Sequence, residues 1–175
     1  LYNSPDVNFK GLQRRIGSWG PERRDLIYST TLGQTAACPD FHVTPVQVKE
    51  QLFEAAAFGM QGMLWYYHLY MEPLRWKYVI EGIDALARVE DIVLDGRMAD
   101  TIGSDNPGLQ LTRREFKGQS VLGVRAYGAD RNLAGAITLG PVSRALSVYD
   151  CDTQEQVGAV TPENAAFTIT VPKDR

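Results

Sequence analysis

Residues 44 to 67 read TPVQVKEQLFEAAAFGMQGMLWYY, from Thr44 to Tyr67. Thr44-Pro45-Val46-Gln47 places a hydroxyl at the helix N-cap, proline at the first helical position and glutamine three residues after the cap. That pattern is a capping box with proline at N1. Val48, Leu52, Ala55 and Ala56 then follow at i, i+4, i+7 and i+8, one apolar stripe of a helix. Gly59 supplies the stop. Two of the stripe residues are alanines, which let a helix lie close against a neighbouring layer. The next run, Gly62 to Tyr67, is apolar without alternation, as expected of a strand buried on both faces of a parallel sheet.

Upstream, Asp25 to Thr31 is β-branched and aromatic and closes at Gly33, the signature of a strand. Downstream, a second helix is expected from about Leu74 and fades between Asp91 and Gly96. Its stripe is Trp76, Val79, Ile80, Ile83, Leu86 and Ala87, with Lys77, Glu81, Asp84 and Arg88 on the other side. Residues 25 to 92 therefore read strand, helix, strand, helix. The connection from Thr31 to Met63 contains a helix, as a right-handed parallel crossover requires.

The pattern changes after residue 96. Residues 97 to 108 end in Gly103, Ser104, Asp105, Asn106, Pro107 and Gly108 and are expected to form a linker. From Leu109 onward, short apolar runs recur about every ten residues, cut by Gly118, Gly123, Gly128, Gly140-Pro141, Asp150-Cys151-Asp152 and Thr161-Pro162-Glu163-Asn164. Such spacing predicts a small antiparallel β-sandwich. At that size it would be marginal alone, so it is expected to lean on the α/β part. The expected division is 1–96, 97–108 and 109–175, an α/β part followed by an all-β part.

The chain has 175 residues, 44% of them hydrophobic and 22% charged, with a formal net charge of −3. This is a globular balance and argues against nucleic-acid binding, which usually needs a basic excess on one face. The cluster Arg14, Arg15, Arg23 and Arg24 is offset by Glu22 and Asp25 and reads as a solvated loop. No apolar run reaches the length of a membrane helix. The N-terminus has no basic stretch leading into an apolar core, and it begins at Leu1, as expected of a processed product or part of a longer chain. Two cysteines, Cys38 and Cys151, do not make a disulfide framework, and no metal-ligand spacing is present. No metal or cofactor is expected, and the cellular compartment stays open. Nucleophile-elbow, dinucleotide and Walker-type motifs are likewise absent.

Two stretches carry a family resemblance. Residues 44 to 67 are similar to the last helix and strand of glycoside hydrolase-type (β/α)8 barrels, where a final helix and a C-terminal β-sandwich follow in the same order. Val148-Tyr149-Asp150-Cys151-Asp152-Thr153-Gln154-Glu155-Gln156-Val157 resembles a hairpin common in such sandwiches, with Gln154 in place of the expected glycine. The resemblance implies the last βα units of a barrel plus an appended β-sandwich. A barrel needs about eight βα units. The remainder is therefore expected from an upstream portion or a partner chain.

Under that reading, residues 25–31 and 62–67 are the seventh and eighth strands, and their C-terminal ends face the active site. Substrate-binding candidates are then Trp65, Tyr67, His68, Asp40 and His42. The Trp65 ring would stack on a sugar face, or else anchor the barrel to the sandwich as a buried aromatic. Tyr66 and Tyr67 point to opposite faces, so at most one lines a pocket. His42 and His68 would hydrogen-bond a hydroxyl or tune a carboxylate, but a loop histidine with an ordinary structural hydrogen bond is the simpler reading of each. Asp40 would bind a hydroxyl or shape a turn. Glycoside hydrolysis uses two carboxyl groups, and after Asp25 neither strand run supplies one. The catalytic pair is expected upstream. The expected function is thus the C-terminal portion of a carbohydrate-active barrel protein. Its competitor is a non-catalytic carbohydrate-binding or structural component of a larger assembly.

Overall fold

Thr44 caps its helix from both directions. Its hydroxyl accepts the Gln47 N–H at 3.3 Å, and the Gln47 side chain accepts the Thr44 N–H at 2.9 Å. The computed structural model describes residues 27–31, 44–58, 60, 62–66, 72–126 and 131–172. The capped helix, α1, runs Pro45–Ala57. It links strand β1, Ile27–Thr31, to strand β2, Gly62–Tyr66. The two strands pair in parallel, with Ile27 opposite Gly62 and Thr31 opposite Tyr66. A parallel pair needs such a crossover, because a tight turn cannot return the chain in the same direction.

Helix α2, Pro73–Ala87, and the short helix α3, Glu90–Asp95, follow. Val48, Leu52, Ala55 and Ala56 of α1 are buried, as their spacing predicts. Helix α2 departs from expectation. Its buried positions are Val79, Gly82 and Ala85, whereas Trp76, Ile80 and Ile83 are each at least half exposed, at 50%, 56% and 52%. Gly82 explains the rotation. A Cβ built there would lie 2.8 Å from Leu52 Cδ1 and 3.1 Å from Lys49 Cγ. The missing side chain lets α1 close in on the Val79–Gly82–Ala85 row, and the larger apolar side chains turn outward.

The β part begins earlier than expected. Strand β3 is Arg97–Met98 and β4 is Ile102–Ser104, so the stretch read as a linker holds two strands. They were missed because strands of two or three residues show no measurable period. The polar cluster after β4 is a pinned turn. Asn106 Nδ2 donates to the Ala134 carbonyl at 2.7 Å, the Gly108 N–H donates to Asn106 Oδ1 at 2.9 Å, and Asp105 Oδ1 accepts the Ala136 N–H at 2.8 Å. Short polar side chains satisfy local backbone groups well, which is why they mark turns as readily as linkers.

Six further strands complete the part: β5 Gln110–Phe116, β6 Gln119–Arg125, β7 Leu133–Leu139, β8 Leu146–Tyr149, β9 Gln156–Val160 and β10 Ala166–Val171. They pair antiparallel into sheets ordered β3-β5-β6 and β10-β7-β4 and a β8-β9 hairpin. Gly135, Ile137 and Leu139 alternate inward along β7, the period-2 signature of a half-buried strand. A single cluster of Leu109, Ala126, Ile137, Leu139, Val160, Phe167 and Val171 lies among the sheets, with Leu111, Val124 and Val148 packed against it.

The two parts touch through helix α1. Gly123 in β6 admits it: a Cβ there would lie 2.9 Å from Ala57 Cβ and 2.4 Å from Thr112 Oγ1. Arg125 donates to the Glu50 carbonyl at 3.3 Å. Lys49, Glu50 and Glu54 are buried along with the apolar stripe, so α1 is enclosed well beyond one face.

Candidate functional site

Parallel pairing fixes one property of the sequence-derived site. Thr31 and Tyr66 are register partners, so β1 and β2 end at the same edge of their sheet. Trp65 stands in β2 opposite Thr30; beyond its backbone position, it lies outside the described residues. Asp40, His42, Tyr67 and His68 also lie outside them.

Among the described residues, a second constellation stands in the β part. A groove of about 800 Å³ opens along the β5-β6 hairpin and the segment from Pro141 to Leu146, with Asp95 and Arg97 at one end. Arg113 braces its floor. The guanidinium donates to the Thr101 carbonyl at 3.0 Å, to the Thr101 hydroxyl at 3.2 Å and to Ser120 Oγ at 3.4 Å. It also pairs with the Glu115 carboxylate. Four acceptors hold this buried cation, as burial of a charge demands.

Arg114, the next residue, points to the opposite face, as strand alternation requires. Its guanidinium donates to the Ile92 carbonyl at 3.4 Å and to the Gly96 carbonyl. Burial pushes its pKa below the ordinary arginine value. It thereby adds a second donor to the Ile92 carbonyl, which already accepts the Gly96 N–H at 3.0 Å, and supplies a donor to the carbonyl of the C-cap residue Gly96.

The hairpin tip at the groove is Lys117-Gly118, between the register partners Phe116 and Gln119. Both residues have positive φ, 48° at Lys117 and 76° at Gly118. A two-residue loop with that sign pair is a type I′ turn, whose usual first residue is asparagine, aspartate or glycine. Lys117 Nζ lies 4.6 Å from the centroid of the Phe116 ring. A Cβ built on Gly118 would lie 3.9 Å from the Arg144 guanidinium, so Arg144 reaches to the tip from the far wall. Sequence reasoning missed this groove, since its cations come from three separate segments. The only local signal was a Lys-Gly pair between two strands.

Cys151 lies where the β8-β9 hairpin meets α2. Its thiol donates to the Ala85 carbonyl at 3.3 Å. Burial pushes the thiol pKa up; Arg88 pulls it down, and Asp150 and Asp152 raise it further. Among the described residues, no His, Cys, Asp and Glu group has the arrangement to hold a metal ion. No described helix is long and apolar enough to cross a membrane.

No protein-family model and no curated protein matches this sequence. Among solved structures, the chain is similar to the crystal structure of a GH30 endoxylanase from Clostridium papyrosolvens C71. Sequence identity is 13% and the TM-score is 0.47, over 85% of this chain and 39% of that one. The chain thus spans well under half the length of that enzyme.

Proposed function

We propose that this chain is the C-terminal portion of a carbohydrate-active barrel protein, with β1-α1-β2-α2 as its last βα units and β3 to β10 as an accessory β-sandwich. The observation that carries the reading is the parallel pairing of β1 and β2 across α1, followed in chain order by an antiparallel part. A parallel sheet is stable when flanked by further strands and covered on both faces. Two strands do not provide that, so the unit fits within a larger sheet. On this reading the division falls near residue 96, and the β part reaches back to Arg97.

Trp65 is the sugar-stacking residue of this proposal, and Tyr67, His68, Asp40 and His42 are its candidates for hydroxyl contacts. The strand runs Ile27–Thr31 and Gly62–Tyr66 contain no carboxylate, so the acid and nucleophile come from upstream strands. That same absence favours a second reading, a non-catalytic carbohydrate-binding component of a larger assembly.

Trp65→Ala in the full assembly tests the proposal. Glycan-array binding is expected to fall while far-UV circular dichroism stays unchanged; unaltered binding by a folded variant removes Trp65 from the site. Intact mass of the native protein separates the readings further. A species well above 19.5 kDa, or a co-purifying barrel fragment, supports the larger assembly, and a monodisperse monomer of the chain's own mass opposes it.

A further inference from the structure

The chain carries a net charge of −3, yet one groove concentrates positive charge. Arg97, Lys117 and Arg144 are exposed around it. None makes an ion pair with a described residue, whereas the groove's Glu115 is engaged by Arg113. Four cations, Arg97, Arg113, Lys117 and Arg144, line the groove against two carboxylates, Asp95 and Glu115, and an excess of one sign of charge in a cleft focuses its field on ligands of the other sign.

A second observation points the same way. Lys117 occupies a left-handed backbone position, φ 48°, that is strained for a residue with a side chain. Asparagine would satisfy the turn at lower cost. The lysine places a cation on the Phe116 ring at the hairpin tip, and the Arg144 guanidinium approaches the same tip at Gly118. The groove is also lined by Phe116, whose ring centroid lies 4.6 Å from Lys117 Nζ, and by Gln119 and Ser143, which offer hydrogen bonds.

We infer that this groove binds an acidic oligosaccharide, its negative groups spaced along the chain to meet Arg97, Lys117 and Arg144 in turn. The saccharide class rests on the carbohydrate reading above; the preference for an anionic ligand rests on the groove alone. Carboxylate and sulfate groups present the same chemistry here, and the probes below separate them.

The test is calorimetric titration of the intact protein with tetragalacturonate, a chondroitin sulfate tetrasaccharide and neutral xylotetraose. Lys117→Asn removes the charge while improving the turn, so loss of binding cannot be loss of fold; Arg144→Gln is its partner on the far wall. Binding of one or both acidic probes is expected, weakened by about two- to fivefold in each variant, the worth of one exposed charge contact, and weakened again by salt. The stronger acidic probe identifies the charged group. No binding of either acidic probe overturns the inference, as does affinity unchanged in the double variant. Competition by inorganic sulfate at equal concentration reduces the groove to a general anion site and also overturns it. Binding of xylotetraose that is sensitive to Trp65→Ala reports on the barrel edge alone, so failure there and failure here remain distinguishable.

Discussion

Lys49 Nζ lies 2.6 Å from the Asp152 carboxylate, joining helix α1 to the tip of the β8-β9 hairpin across 103 positions of sequence. The lysine is 7% exposed. Glu81 Oε2 stands 3.7 Å from the same ammonium, and the Tyr78 ring centroid lies 5.4 Å away. Arg88 adds a second tie, donating to the Cys151 carbonyl at 3.1 Å. The hairpin is thus clamped by cations from both helices.

Replacing Lys49 with alanine is expected to destabilise the protein by about 2 kcal/mol. That is below the cost of breaking a fully buried pair, because water reaches Asp152. Lys49→Met keeps the packed stem and should lose less. Urea unfolding midpoints of the two variants check the order, and a cycle with Asp152→Asn isolates the pair.

Gly123 gives a steric prediction. Gly123→Val puts a branched side chain into Thr112 and Ala57, with contacts already under 3 Å at Cβ. It should cost about 1–3 kcal/mol, as overpacking does. Gly103, where a Cβ would meet nothing within 4 Å, is the control: Gly103→Ala should be close to neutral. Thermal melts of both variants make the comparison.

Gln154 has φ 63°, where the resembled hairpin has glycine. Its side chain donates to the Cys151 carbonyl at 3.0 Å, a partial offset to the strain. Gln154→Gly should raise stability by up to about 1 kcal/mol, since glycine adopts this conformation freely. Gln154→Val, which keeps a bulky β-branched side chain there, should lower it. A melting temperature that falls in both would show the side-chain bond outweighs the backbone.

The Cys151 thiol should titrate late. Its folded pKa is raised by burial, so the folded state holds the proton more tightly than the unfolded chain. The stability this adds is fully present below the unfolded thiol value and is lost as pH rises through the folded one. In a Cys38→Ser background, labelling by a thiol reagent near neutral pH should be slower for native than for urea-unfolded protein. The difference should shrink in strongly alkaline buffer.

Local signals in the sequence reached the structure where one segment determines its own shape. The capping box at Thr44, the buried stripe Val48-Leu52-Ala55-Ala56 and the strands from β5 onward are set by period and turn chemistry. The outward face of α2 was illegible because Gly82 and Leu52 decide it together, across two helices. Strands β3 and β4 exist only through pairing with β5 and β7. The same distinction governs function: Trp65 was singled out by its place at the end of a run, whereas Arg97, Lys117 and Arg144 have no sequence relation to one another.

Arg114 gives the molecule a property that no list of its elements contains. A side chain from the middle of β5 bonds the Ile92 carbonyl of α3 and the carbonyl of its C-cap Gly96, which couples the opening of the helix end to that of the central strand. Amide exchange should find α3 and β5 in one protected unit, with Gly96 slowing alongside the strand. A cut between α3 and β3 is then expected to divide the chain without separating the parts, because the Arg114 guanidinium, the Lys49–Asp152 pair and the Arg125–Glu50 bond all cross the break.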